Sequence, residues 1–178
     1  MPSYYDLDDI ISESQRIPCK IEVTLPNLGI LEGNPGQTIT KDTKLELPIW
    51  IATVLALTEV ERDSNINFIT LLQPDAVSKK VINTIKTSPT SLDLHSVAPH
   101  YYSFIEKWAE LFNDKDLVDT ILVMLKERAM ELNRFAHNLS GVQKESNFLY
   151  SLDEFEKLVY RSAHSGAKNY RGWVNGEE

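Results

Sequence analysis

Apolar side chains recur along this chain with two periods, and the change between them falls at Pro48. From Cys19 to Leu25 apolar and polar residues alternate, the period of two expected of a half-buried strand. Leu28, Ile30 and Ile39 suggest further short strands, and Leu45 and Leu47 alternate once more. Turn signals stand between them at Pro26-Asn27 and Gly33-Asn34-Pro35-Gly36. Ahead of the strands, residues 7–14 predict a short helix with Leu7, Ile10 and Ile11 on one face. About 47 residues bury too little surface to be securely stable alone, so this β-rich module is expected to lean on something else.

After Pro48 the period becomes helical. Proline is favoured at the start of a helix because its missing N–H would be unpaired there anyway. Ile49, Trp50, Val54 and Leu57 follow with helical spacing. Residues 74–87 predict a second helix with Val77, Val81, Ile82 and Ile85 on one stripe, and Pro89 stands beyond its end. A third covers 100–112. A fourth covers 115–140, with Val118, Ile121, Leu122, Leu125, Ala129, Leu132, Phe135 and Leu139 in phase and Gly141 as its stop. The last covers 147–165, with Phe148, Leu152, Phe155, Leu158, Val159 and Ala163 in phase, closed by Gly166. The fold class expected is α+β and predominantly α. A small β-rich domain, 1–47, precedes an α-helical bundle of about five helices, 48–178.

Composition narrows the chemistry. The net charge is −8, the wrong sign for a protein that grips phosphates, so tight direct DNA binding is not expected. The single cysteine, Cys19, cannot form an intramolecular disulfide and fits a reducing compartment. The acidic start MPSYYDLDD lacks the basic-then-apolar layout of a signal peptide, and no apolar run is long enough to span a bilayer. A soluble cytosolic or nuclear protein with no membrane partner is expected.

Catalytic patterns are missing as well. Gly33-Asn34-Pro35-Gly36 is not followed by the Gly-Lys-Ser/Thr of a phosphate loop and reads as a turn. Histidines at 95, 100, 137 and 164 are scattered, and Pro99 breaks the helical registry between His95 and His100, so no metal site is expected. No Gly-x-Ser-x-Gly elbow occurs. Asp8-Asp9 are better explained as acids favoured at a helix N-terminus than as a catalytic pair. No cofactor is expected, and the chain is not expected to be an enzyme.

Association is the better-supported theme. Tyr101, Tyr102, Ile105, Trp108, Ala109 and Phe112 fall at relative positions 0, 1, 4, 7, 8 and 11. Together with Phe104 they point in more directions than one buried stripe accommodates, and Tyr and Trp are enriched at interface anchors. Tyr101, Tyr102, Phe104 and Trp108 therefore divide between core and partner interface. In the 115–140 helix, Met124, Leu125, Met130 and Leu132 widen the apolar face, which wants more than one neighbour.

Three ordered blocks carry a family resemblance. Tyr4-Tyr5-Asp6-Leu7-Asp8-Asp9-Ile10-Ile11, with Ile17-Pro18-Cys19-Lys20 and Leu25-Pro26-Asn27-Leu28-Gly29, form the first. Thr43-Lys44-Leu45-Glu46-Leu47-Pro48-Ile49-Trp50-Ile51-Ala52 form the second. Leu92-Asp93-Leu94-His95, then His100-Tyr101-Tyr102 ahead of Trp108, form the third. In this order they resemble the Psf-three class of GINS subunits, over nearly the whole chain, with a variable loop expected between about 140 and 150. The resemblance implies a non-catalytic subunit of a heterotetramer with Psf-one, Psf-two and Sld-five subunits. It also implies a nuclear scaffold that joins the MCM helicase ring and the RecJ-like Cdc-forty-five protein in DNA replication. The β-before-α order agrees with that class. A helical adaptor or regulator of another complex is the competing reading. Tyr4, Tyr5, Leu45, Leu47 and Trp50 join the four aromatic residues as candidates for partner or inter-domain contact. Asp93 and His95 are expected to brace the start of the aromatic helix.

Overall fold

A computed structural model describes residues 5–60, 66–138 and 147–176. They form two compact units, divided after Pro74.

The first unit opens with helix α1 (Leu7–Glu13). The Asp6 carboxylate caps it by accepting from the Asp8 N–H at 3.1 Å, and Asp8 and Asp9 place negative charge in the first turn. Strand β1 (Arg16–Ile21) then lies between β2 (Lys44–Pro48) and β3 (Ile69–Leu71), antiparallel to both. The register sets Ile17 opposite Leu47, Cys19 opposite Leu45 and Leu71, and Ile21 opposite Ile69. Ile17, Cys19 and Ile21 are the buried alternate positions of β1. Burial pushes the Cys19 thiol up to about 11, against a hydrogen bond with the Leu47 backbone that lowers it.

Two expectations for this region change. The strand begins at Arg16 and ends at Ile21, whereas the alternation predicted Cys19 to Leu25; past Ile21 the Glu22 N–H still donates to the Phe68 carbonyl at 3.1 Å, and an isolated bridge pairs Leu25 with Ile39. Leu28 and Ile30 form no strand but flank and enter a 3-10 turn at Gly29–Glu32. Gly29 exchanges hydrogen bonds with Gln37 and Asn34, and a Cβ there would collide with the Asn34 carbonyl oxygen. The backbone approach that closes this turn therefore requires glycine.

Helix α2 (Ile49–Leu57) starts directly after Pro48, and the Ile49 N–H donates to the Gln15 carbonyl at 3.0 Å. Ile49 and Ala52 are buried, and α2 packs on all three strands. This is why the compact unit runs to Pro74 and not to Leu47: α2 covers the sheet, and β3, which the alternation did not reveal, completes it.

The second unit begins with a 3-10 turn at Asp75–Val77 and helix α3 (Lys79–Thr87), capped by Ser78. A 3-10 turn at Pro89–Ser91 leads to α4 (Leu94–Val97) and α5 (Tyr101–Phe112). Asn113, at φ 50°, and the capping Asp114 reverse the chain into α6 (Lys115–His137). Then come α7 (Asn147–Tyr150) and α8 (Glu154–Asn175). Phe104, Ile105, Leu117, Met124, Leu132, Ala136 and Leu152 are among the side chains that fill the core. The long helix α6 packs far more on α8 than on α5. Helix α8 passes straight through Gly166, the expected stop, and ends at Gly176, whose φ of 72° is the left-handed cap. Leu139 and Gly141, the expected end of α6, lie outside the described residues, as does most of the expected variable loop. Among the described residues, no helix is long and apolar enough to cross a membrane.

Candidate functional site: a buried clamp and open apolar faces

Arg128 occupies the middle of α6 with no solvent exposure. Its Nε donates to Glu156 Oε1 at 2.7 Å and its Nη2 to Oε2 at 2.8 Å, a bidentate pair. Nη1 donates to the Pro89 and Leu92 carbonyls at 3.0 and 3.1 Å, and Nη2 also donates to the Ser151 carbonyl at 3.4 Å. All five guanidinium N–H groups are therefore engaged. The cation also lies 5.0 Å from the centre of the Phe148 ring.

Glu156 extends the network. Its Oε1 accepts from the Tyr102 hydroxyl at 2.7 Å, and its Oε2 accepts from the Asp153 N–H at 3.3 Å. The latter is half of a capping box that starts α8. Asp153 in turn accepts from the Tyr101 N–H at 3.1 Å, which satisfies an orphan donor at the start of α5. Burial holds the Asp153 carboxyl above the ordinary range, while the Glu154 and Tyr101 backbone N–H groups pull it back down. Among the described residues, no buried side-chain polar atom lacks a partner. One guanidinium thus ties the turn at Pro89, the entry to α4, the α7–α8 junction and, through Glu156, helix α5.

Of the aromatic residues divided between core and partner interface, Tyr101, Phe104 and Trp108 fall in the core. Tyr101 and Phe104 are wholly buried and Trp108 nearly so. Tyr101 donates its hydroxyl to the Ala76 carbonyl at 3.3 Å, and Phe104 stacks on Trp108. Tyr102 is half-buried between this core and Phe155, which it meets edge-on. Asp93 caps α4 by accepting from the Ser96 N–H at 3.1 Å, so its brace serves α4; the tie to the aromatic helix comes from Asp153. His95 is half-exposed beside Lys157 Nζ at 3.3 Å. In the first unit, Leu47 is buried and Leu45 partly so, while Trp50 is 55% exposed and Tyr5 80% exposed. Tyr4 lies outside the described residues.

The open apolar faces follow helical pitch. Trp50, Val54 and Leu57 form a stripe on α2, a helix with no charged residue. Leu7, Ile10 and Ile11 are exposed on α1. Phe155, Leu158 and Val159, and further on Tyr170, Trp173 and Val174, are exposed on α8; Val118, Leu122, Val123 and Met130 are exposed on α6. Large apolar residues grouped in this way are the material from which association surfaces are built. Among the described residues, no group of three or more His, Cys, Asp or Glu side chains could hold a metal ion.

Two family profiles match the chain. The one described as "PSF3 N-terminal domain" covers residues 5–57, and the one described as "GINS complex protein helical bundle domain" covers 76–175. The chain is similar along its whole length to curated proteins named DNA replication complex GINS protein PSF3. It is 49% identical to that of Debaryomyces hansenii over 97% of both chains. It is 47% identical to that of Candida albicans over 96% of both. With that of Saccharomyces cerevisiae it shares 40% identity over 96% of this chain and 97% of the relative.

Proposed function

The chain belongs to the PSF3 family of DNA replication complex GINS proteins, and from that premise we propose that it is a non-catalytic subunit of a heterotetrameric GINS complex. In this role it joins Psf-one, Psf-two and Sld-five subunits in the nucleus. The assembled complex braces the MCM helicase ring together with the RecJ-like Cdc-forty-five protein. The observation that carries the reading is similarity at 49% identity from one end of the chain to the other, through both units in the same order.

The physical chemistry supports it. The most elaborate polar site in the helical unit is a closed, fully satisfied clamp with nothing left to offer a substrate. The features left open are apolar helix faces, which is how subunits of stable assemblies look when seen alone. The charge of −8 suits a protein that supports a helicase without gripping DNA itself.

Co-expression of the full chain with the three other subunits tests the reading. The expected result is one stable species containing all four chains, without nucleotide hydrolysis of its own. Elution of this chain apart from the other three would overturn the reading.

A further inference from the structure

Between α5 and α6 the helical unit has an open groove of about 480 Å3. It exists because α6 packs far more on α8 than on α5, and because the tight reversal at Asn113 and Asp114 ties α5 to α6 at one end only. The groove's apolar lining is Tyr102, Ile105 and Ala109 from α5 and Val118, Ile121 and Leu122 from α6. Ile105, Ala109 and Ile121 are buried and make its floor, whereas Val118 and Leu122 are exposed on its wall. The α5 positions fall at i, i+3 and i+7, and so follow about two turns of one helix face.

The rim has a definite charge. Glu106 and Glu110 lie one turn apart on α5, interleaved with the apolar positions, and both are exposed. Neither has an ion-pair partner among the described residues. Like charges at this spacing oppose each other slightly on a helix. Asp114 adds a third carboxylate at the closed end, and Lys115 is the one cation of the lining.

We infer that this groove receives an amphipathic helix of a partner protein whose apolar stripe is flanked by Lys or Arg residues spaced one turn apart. An apolar floor with helical periodicity takes the anchors of such a helix. The carboxylate row selects its basic flank and fixes its direction. A second copy of this chain would bring another net −8 to the same acidic surface, which argues against self-association here. The wall is also held in shape from behind: Tyr102 donates its hydroxyl to Glu156, which Arg128 clamps. The inference rests on the reading of the chain as a subunit of an assembly.

The test uses the full chain, co-expressed with its three proposed partners, with a photo-crosslinking amino acid in place of Leu122. After irradiation of the purified complex, the crosslinked peptide is identified by mass spectrometry. The expected result is a single helical segment of one partner with at least two Lys or Arg residues beside its apolar positions. Double reversal of the rim, Glu106→Lys with Glu110→Lys, is expected to lower the crosslink yield about tenfold. The matched reversal Glu46→Lys with Glu59→Lys, in the first unit, should leave the yield unchanged. Thermal melting of each variant confirms that the fold is retained. Failure of the four chains to co-purify would refute the subunit reading and this inference with it. Four chains that co-purify would instead overturn the groove alone under any of these results: no partner crosslink at Leu122, a crosslink within this chain or to a second copy, a partner segment without basic residues, or a yield indifferent to the rim reversal.

Discussion

Arg128 has no neighbour in sequence that announces its role. It stands between Met124 and Leu132 on the buried stripe of α6, where every other position is apolar, and its partner Glu156 lies 28 residues away. A charged residue in phase with a core stripe was the available signal, and Asp153 followed three residues later by Glu156 is the written form of a capping box. Removing one member of a buried pair leaves the other uncompensated. Arg128→Met is therefore expected to cost about 3–5 kcal/mol, read as a drop of about 10 °C in the melting temperature. Arg128→Lys should recover little of this, because an ammonium cannot span both Glu156 oxygens and three carbonyls. Adding Glu156→Gln to Arg128→Met should recover part of the loss and no more, since the Pro89, Leu92 and Ser151 carbonyls still lose their donors. Trp108→Ala is expected to cost about 3–5 kcal/mol as a core truncation, whereas Glu106→Ala, on the exposed side of the same helix, should leave the melting temperature almost unchanged.

Asp153 gives the clamp a pH dependence of definite sign. Its carboxyl is raised in the folded chain, chiefly by burial. The folded state then holds the proton more tightly than the unfolded chain does. Stability from this group is present below the ordinary aspartate value of 3.8 and declines as pH rises through the folded value. Asp153→Asn keeps a capping side chain but removes the titration. Melting measured from pH 3.5 upward should show the gap between the variant and the parent shifting in the variant's favour as pH rises. A gap independent of pH would mean that the carboxyl is not raised.

At the scale of elements, periodicity was a good guide where apolar residues were large and the helix long. The helices expected over 100–112 and 115–140 are found at Tyr101–Phe112 and Lys115–His137. Short β elements were harder. Pro18 hid the start of β1, since proline within a strand argues against one, and the three residues of β3 are too few to alternate. Gly29 makes a turn of the stretch where Leu28 and Ile30 suggest strand, through a close backbone contact that no pattern encodes. The site was legible only in part: Trp50 and Tyr5 are exposed, but aromatic density alone could not separate the buried Tyr101, Phe104 and Trp108 from surface positions.

Gly166 misled for an instructive reason. A glycine is a common stop, yet here the flanking residues keep α8 in phase and the true cap is Gly176. Its ordinary helical backbone costs conformational entropy with nothing gained in packing, and a Cβ there would meet no atom within 4 Å. Gly166→Ala is accordingly expected to stabilise the helical unit by about 0.5–1 kcal/mol, seen as a higher melting temperature with association unchanged. A loss of stability would show that the glycine is needed for close approach by something outside this chain.

For the whole molecule, the two compact units suggest a division of labour. The helical unit, 75–178, carries long apolar faces on α6 and α8 and a clamp that fixes how those helices sit together. Obligate interfaces are built from such area. The first unit has a small sheet, a short core and an exposed stripe on α2, and a surface of that size suits a second, separate contact. Expressed without partners, the full chain is expected to self-associate through its open faces, and co-expression should make it monodisperse. A chain reduced to residues 75–178 is expected to co-purify with the three other subunits, because it keeps α5, α6, α8 and every member of the Arg128 clamp. The cut belongs after Pro74: a cut after Leu47 would remove β1 and most of β2 from beneath α2 and leave β3 without the strand it pairs with. The same 75–178 chain should fail to bring the other three into a complex with the MCM ring. Pull-downs of the truncated chain, first against the three subunits and then against MCM, separate the two roles. If the truncated chain folds, as judged by its circular dichroism and cooperative melting, but binds none of the three, then the determinants of assembly lie in the first unit and the division is the reverse of the one argued from these surfaces.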